Sequence, residues 1–374
     1  MSDSRLFDRF AKLCEISSPT GSERDVADWQ SEELRAAGFD VREDDAEGPA
    51  RAGCGNRIAF LPGSSDAALM FCAHLDTVPH SQPIEVELRD GVFRSAGPTI
   101  LGADNKAAVA VAVELAIRWS EAPMPPPVGI EVVLTVAEED GLRGAKALDV
   151  DELRSDVGFV MDHATPIGEL ITAAPTYMRL LADFEGAESH AGMSPEAGVS
   201  AIEAAAAAIE AMELGRINER TTANVGVIAG GTATNVVPGS CRIDAEARSL
   251  ADSEAREAIG RMVDACTWAA SERSADVDCD VWEMFRAYEV PAQSRARRLA
   301  LAGLERSGYT AVERPTGGGS DANALRLNGF DAILLANGTE ANHTPHESVT
   351  ADRLVEMLAV CDQIVRAAGE QAEA

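Results

Sequence analysis

Four apolar, β-branched runs in this chain each stop at, or shortly before, a histidine or an acid. Residues 68–73 run into His74, 130–137 into Glu138 and Glu139, and 157–161 into Asp162, while 332–336 comes shortly before His343. Runs of this length and composition read as buried strands. Up to about residue 172 they alternate with helical patterns, which calls for an α/β fold with a mostly parallel sheet. Open sheets of that kind bind ligands at the carboxyl ends of their strands. Four strands that deliver imidazole and carboxylate to the same edge therefore describe one site, and its donors suit zinc or a similar divalent ion.

Asp104 sits in Leu101-Gly-Ala-Asp-Asn-Lys-Ala, where a glycine loop gives way to the alanine- and valine-rich helical run 107–117. A carboxylate at that helix start, facing the same cleft, is placed to bridge two ions. The pattern reads as a two-metal hydrolase. Two residues past His74, Asp76 points to the same side of an extended strand, where a carboxylate can fix the tautomer of a ligating histidine. Adjacent glutamates at a strand end point to opposite sides, so Glu138 and Glu139 should not hold the same ion. One kept off the metal could carry a proton from water to a leaving amine. Either His343 or His346 could supply the last imidazole, and His163 could line the cleft but is expected rather to be solvated.

Composition narrows the class. A chain of 374 residues with 46% hydrophobic and 25% charged residues has room for two globular domains. No apolar stretch approaches the roughly 18–20 residues that span a membrane, and the start of the chain reads as an amphipathic helix (Leu6, Phe7, Phe10, Leu13) without a signal-peptide core. Seven scattered cysteines with no C-x-x-C pair argue against a disulfide framework and for a reducing, cytoplasmic setting. With 62 acidic against 32 basic residues the net charge is −30, and there are only three lysines, Lys12, Lys106 and Lys146. Such a surface repels nucleic acid and anionic membranes. It also repels itself unless salt screens it, within about 3 Å at 1 M, so a salt-rich cytoplasm, as in a halophile, is expected.

The alternation breaks near Thr176. Strand patterns at 178–184, 223–228, 241–247 and 275–282, with helical patterns at 200–214 and 253–271, make an α+β unit, and the acid-and-histidine pattern resumes only at His343. A catalytic domain of residues 1–175 and 287–374 with an inserted domain of 176–286 follows.

Taken in order, His74-Leu-Asp76-Thr-Val, Leu101-Gly-Ala-Asp104-Asn-Lys-Ala, Ala137-Glu138-Glu139, Val160-Met-Asp162, Ser189-His190-Ala-Gly, Thr234-Asn235-Val-Val-Pro and His343-Thr-Pro-His-Glu347 resemble the M20 metallopeptidases, specifically their peptidase T-like, tripeptide aminopeptidase-like branch. The resemblance runs over essentially the whole chain. It implies a zinc-peptidase-like mixed sheet with helices on both faces, and an inserted lid and dimerisation domain. One ion would take His74, Asp162 and Asp104, and the other Asp104, Glu139 and His343, the histidine that stands four residues before Glu347. Glu138 would transfer the proton and Asp76 would support His74. His190 would donate to the developing oxyanion, from its own or a partner subunit. Asn235, Arg248 and the glycine-rich loop with Ser320 would hold substrate. The implied cofactors are two divalent ions, zinc or else cobalt or manganese, and the implied partners are a short peptide and a second copy of the chain. An N-acyl-amino-acid deacylase is the alternative within the same chemistry. A metal-binding interaction protein without catalysis is the alternative outside it, but none of the expected residues is missing.

Overall fold

The computed structural model describes residues 3–80 and 82–372, and the chain forms two compact units. The first takes Met1–Thr172, Glu289–Pro315 and Ser320–Ala374; the second takes Ala173–Tyr288 and Thr316–Gly319. In chain order the main elements of the first unit are α1 (Ser4–Glu15), α2 (Arg24–Ala36), β1 (Asp40–Glu43), β2 (Arg57–Leu61), β3 (Ala68–His74), α3 (Ala103–Ser120), β4 (Gly129–Thr135), β5 (Val157–His163) and β6 (Glu169–Ala174). Those of the second are β7 (Thr176–Glu185), α4 (Ala201–Ala211), β8 (Thr221–Gly230), β9 (Ser240–Ser249), α5 (Asp252–Glu272) and β10 (Asp276–Phe285). The chain returns to the first with α6 (Arg295–Arg306), α7 (Asp321–Leu327), β11 (Asp331–Ala336) and α8 (Ala351–Ala372).

The sheet of the first unit runs β1-β2-β4-β3-β5-β11-β6, and two short strands complete its far edge. The four central strands β4, β3, β5 and β11 are parallel, whereas β1, β2 and β6 pair antiparallel. Every residue of β3 and β4 is buried, as their unbroken apolar runs require of strands covered on both faces. Helix α3 is apolar almost all round and correspondingly buried. It packs on β3, β4 and β5, and also against α1 and α8. Its one interior acid, Glu114, is 1% exposed and is surrounded by Arg5, Arg9 and Arg118, so the charge is paired rather than bare. Near the helix start, buried Lys106 donates to the Leu13 and Ile16 carbonyls at 3.1 and 3.2 Å, a cation at the carboxyl end of α1.

The second unit is an antiparallel sheet, Gly215–Arg216 then β8-β9-β7-β10, with α4 and α5 on it. Alternate residues of β7 and β9 are buried. Leu180, Ala182, Phe184, Ile243, Ala245 and Ala247 meet an alanine-rich helix layer that includes Ala204, Ala205 and Ala208, where small side chains let helix and sheet approach closely. Helix α4 ends at Ala211, short of the expected Leu214, and Ser200 caps it by accepting the Glu203 N–H at 3.2 Å. Beyond Gly215–Arg216, which pairs only with Ala223 and Thr222, the outer edge of β8 has no partner strand among the described residues. Residues 226–230 there are exposed and carry no charge.

Two expectations change. The run 130–137 is strand only to Thr135, because Ala137 takes a left-handed φ of 50°. Glu138 and Glu139 therefore stand in a loop, and pleat alternation cannot be what separates them. The glycine-rich residues 316–319, read from sequence as part of the catalytic domain, cluster with the second unit. There any Cβ on Gly319 would overlap the Phe285 ring.

Candidate metal centre

The carboxyl ends of the four parallel strands bring six of the expected residues together. His74 ends β3, Asp162 lies at the end of β5, Glu138 and Glu139 follow β4, and His343 follows β11. Asp104 comes from the start of α3, where its φ of −83° and ψ of 103° leave helical geometry. His74 Nε2 lies 3.2 Å from Asp104 Oδ1 and 3.5 Å from Asp162 Oδ1. His343 Nε2 lies 3.2 Å from Asp104 Oδ2 and 3.0 Å from Glu139 Oε1. The two oxygens of Asp104 thus face two different donor sets. Tetrahedral zinc with bonds of about 2.0–2.1 Å places its ligand atoms about 3.3–3.4 Å apart, close to these separations. Donor atoms of His74, Glu138 and Asp162 also lie within 4.8 Å of one another.

Crowded buried acids set the electrostatics. Burial, then the Asp162 charge, raises the Glu138 carboxyl well above the usual carboxylate range, with His74 opposing. Burial and Asp104 do the same to Asp162, again against His74. Burial would also raise Asp104, but hydrogen bonds from His343 and His74 hold it well below. Hydrogen bonds to Asp104 and Glu139 raise His343 to about 10. A pocket with this surplus of negative donors is stabilised by divalent cations, and its oxygen and imidazole donors fit two of them.

Asp76 has a second task beside the one expected. His74 Nδ1 is 2.9 Å from the Asp76 carbonyl oxygen and 3.5 Å from its carboxylate. The carbonyl therefore takes the Nδ1 proton and leaves Nε2 free as a ligand. The fully buried carboxylate accepts the Glu138 and Glu139 N–H groups at 3.0 and 3.2 Å and the Thr20 hydroxyl at 2.7 Å. Asp76 clamps the acid loop as well as the histidine.

Ser320 is a correction. Its hydroxyl caps α7 by accepting the Ala322 N–H at 3.3 Å, in a capping box closed by Asn323, and the residue is fully buried. A buried cap does not offer itself to substrate. His163 is half-buried, and burial lowers its pKa, so it is not the solvated histidine expected; His346 is exposed.

The remaining expected residues belong to the second unit. His190 is exposed and its Nδ1 accepts the Gly192 N–H at 3.1 Å, so the neutral ring carries its proton on Nε2, available for donation. Asn235 is exposed as well, and its carbonyl accepts the N–H of Ala191, the residue after His190, at 2.9 Å. Arg248 makes two 3.0 Å contacts to the Glu246 carboxylate, lies 4.2 Å above the Tyr177 ring and donates to the Gly317 carbonyl.

Sequence reasoning missed two residues of the centre. Asn342 donates to Asp104 Oδ2 at 2.9 Å; its place beside His343 was a signal. Glu347 accepts three backbone N–H groups around Asp104, and was used only to mark spacing.

The chain is similar to known proteins over its whole length. Residues 175–274 match the peptidase dimerisation domain of M20 enzymes, and 56–166 match peptidase family M28. A Bacillus subtilis protein, YqjE, is 34% identical over 99% of this chain and 100% of its own. The aminopeptidase PepT of Bacillus cereus is 35% identical, with a TM-score of 0.86 over 98% of this chain and 99% of its own. A tripeptidase of Staphylococcus aureus is 32% identical, with a TM-score of 0.93 over 99% and 100%.

Proposed function

Because the chain belongs to the M20 family of peptidases, we infer that it hydrolyses the amide bond of short peptides with a free amino terminus, with Glu138 as the proton carrier. The observation that carries this reading is Asp104, whose two oxygens divide between the two donor sets, with the buried Glu138 packed beside the His74–Asp162 contact. His74, Asp162 and Asp104 would hold one divalent ion, and Asp104, Glu139 and His343 the other. Zinc suits both sets, and cobalt or manganese can replace it. When bound, the ions polarise the scissile carbonyl and make water a stronger acid.

The chain's own residues do the rest. Glu138 takes a proton from the attacking water and returns it to the leaving amine; a carboxyl with a raised pKa suits both transfers. Asp76 holds the Glu138 backbone in place. His190, with Nε2–H free, donates to the developing oxyanion, a contact worth about 3 kcal/mol in comparable sites. Asn235 and Arg248 hold the substrate, Arg248 by exchanging Glu246 for a peptide carboxylate. A second copy docks through the inserted unit, a reading supported by the match to a dimerisation domain and by the β8 edge, which beyond Gly215–Arg216 has no partner strand among the described residues. All seven cysteines are free thiols, which supports a cytoplasmic setting, and no helix among the described residues is long and apolar enough to cross a membrane.

The test is to compare rates of the zinc- or cobalt-loaded protein, in molar salt, on a tripeptide, a dipeptide and an N-acetyl amino acid. The tripeptide or dipeptide should be cleaved fastest. Fastest turnover of the N-acetyl amino acid would put deacylation in its place.

A further inference from the structure

Glu347 lies in the loop that carries His343, four residues downstream, and is 2% exposed. Its Oε2 accepts the N–H groups of Leu101 and Gly102 at 2.9 and 2.7 Å, and its Oε1 accepts that of Asp104 at 2.9 Å. These are N–H groups at the amino end of α3, which that helix cannot satisfy itself. Gly102, the N-cap residue, supplies no side-chain cap. Asp104 and Asn105 depart from helical geometry, so the regular helix ladder does not locate Asp104. The Glu347 carboxylate reaches over from the loop of His343 and does so instead. Among the described residues it makes no ion pair within 4 Å; its charge rests on backbone N–H groups.

We infer that Glu347 is the positioning residue of the metal centre: it fixes Asp104 relative to His343, and so sets the spacing of the two donor sets. This rests on the reading of Asp104 as the bridging ligand. Removing an outer partner of a metal ligand typically weakens metal binding about 10- to 100-fold. Glu347→Gln keeps the volume but has a single acceptor oxygen, and it turns an NH2 group toward a backbone N–H.

The experiment titrates metal-free full-length protein with Co²⁺, reading the cobalt absorption bands in competition with a chelator. The wild type should take up two ions, and Glu347→Gln should bind them about 10- to 100-fold more weakly. A control is Glu131→Gln, which removes a carboxylate that is equally buried and also holds backbone N–H groups, of Arg154 and Ser155 at 3.0–3.1 Å, but touches no ligand. Glu131→Gln should lower the melting temperature yet bind Co²⁺ as the wild type does. Equal weakening in both variants would reduce the effect to general stability and overturn the inference, as would undiminished binding in Glu347→Gln. If the glutamine chain fails to fold, Glu347→Asp, which withdraws the same charge by one methylene, should show the same loss relative to the control, and its absence overturns the inference. Uptake of fewer than two ions by the wild type overturns the bridging role of Asp104 and this inference with it. Normal wild-type uptake with an unaffected variant overturns this inference alone.

Discussion

Glu138 is buried against Asp162 and His74, whereas the next residue, Glu139, turns Oε1 to within 3.0 Å of His343. Glutamine at each position separates the two tasks. Glu138→Gln should bind two metals and lose roughly 10²- to 10⁴-fold in kcat, the range of general acid–base catalysis. Glu139→Gln should lose affinity for one ion and recover part of its activity in excess metal. Metal analysis beside steady-state rates checks this, and the reverse pattern would swap the roles. Asp104→Ala should abolish activity and reduce bound metal from two ions toward one or none, because its two carboxylate oxygens each lie 3.2 Å from a different histidine, His74 and His343; two tightly bound ions in the purified variant would refute the bridge. The six residues that the structure brings together were legible because each follows a run whose burial the sequence already declares, or, for Asp104, opens one. The clamp of Asp76 on the acid loop was not, since it depends on where a loop of non-repeating geometry places two N–H groups. Ser320 was misread because a serine in a glycine-rich loop and a serine capping a buried helix look alike until the helix after it is packed.

The parallel strands β3, β4, β5 and β11 begin and end within two residues of their expected limits, since a strand buried on both faces leaves an unbroken apolar run. Only β4 stops early, at a left-handed alanine that no local pattern announces. At the level of elements the exposed edge of β8 makes its own prediction. Val227 and Ile228 are 54% and 49% exposed on a strand edge without a neighbour among the described residues, an arrangement prone to pair with another chain. Ile228→Lys places a charge there and should convert a dimer to a monomer at micromolar concentration, with the far-ultraviolet circular dichroism unchanged. Analytical ultracentrifugation reads the result; an unaltered dimer would move the interface elsewhere on the inserted unit.

For the molecule as a whole, 62 acids face 32 bases, so even complete pairing of every base would leave thirty negative charges to repel one another. Salt weakens the surface pairs and this repulsion alike, but exposed pairs contribute little, about 0–1 kcal/mol each, and the unpaired excess should dominate. The melting temperature should therefore rise between low and molar KCl; for domains of 150–250 residues about 1 kcal/mol corresponds to about 2–4 °C. A midpoint independent of salt would reject this. The order in which the first unit is assembled along the chain has a further consequence, for synthesis on the ribosome. Strand β11 sits between β5 and β6 in the sheet, yet it is made only after β7 to β10 of the second unit. From Asp162 to His343 the ribosome adds 181 residues, which takes roughly 10–35 s at about 5–20 residues per second. For that time β5 waits with an apolar edge open and four of the five expected ligands already made, so the nascent chain is exposed to chaperones and to premature metal capture until its carboxyl-terminal part emerges.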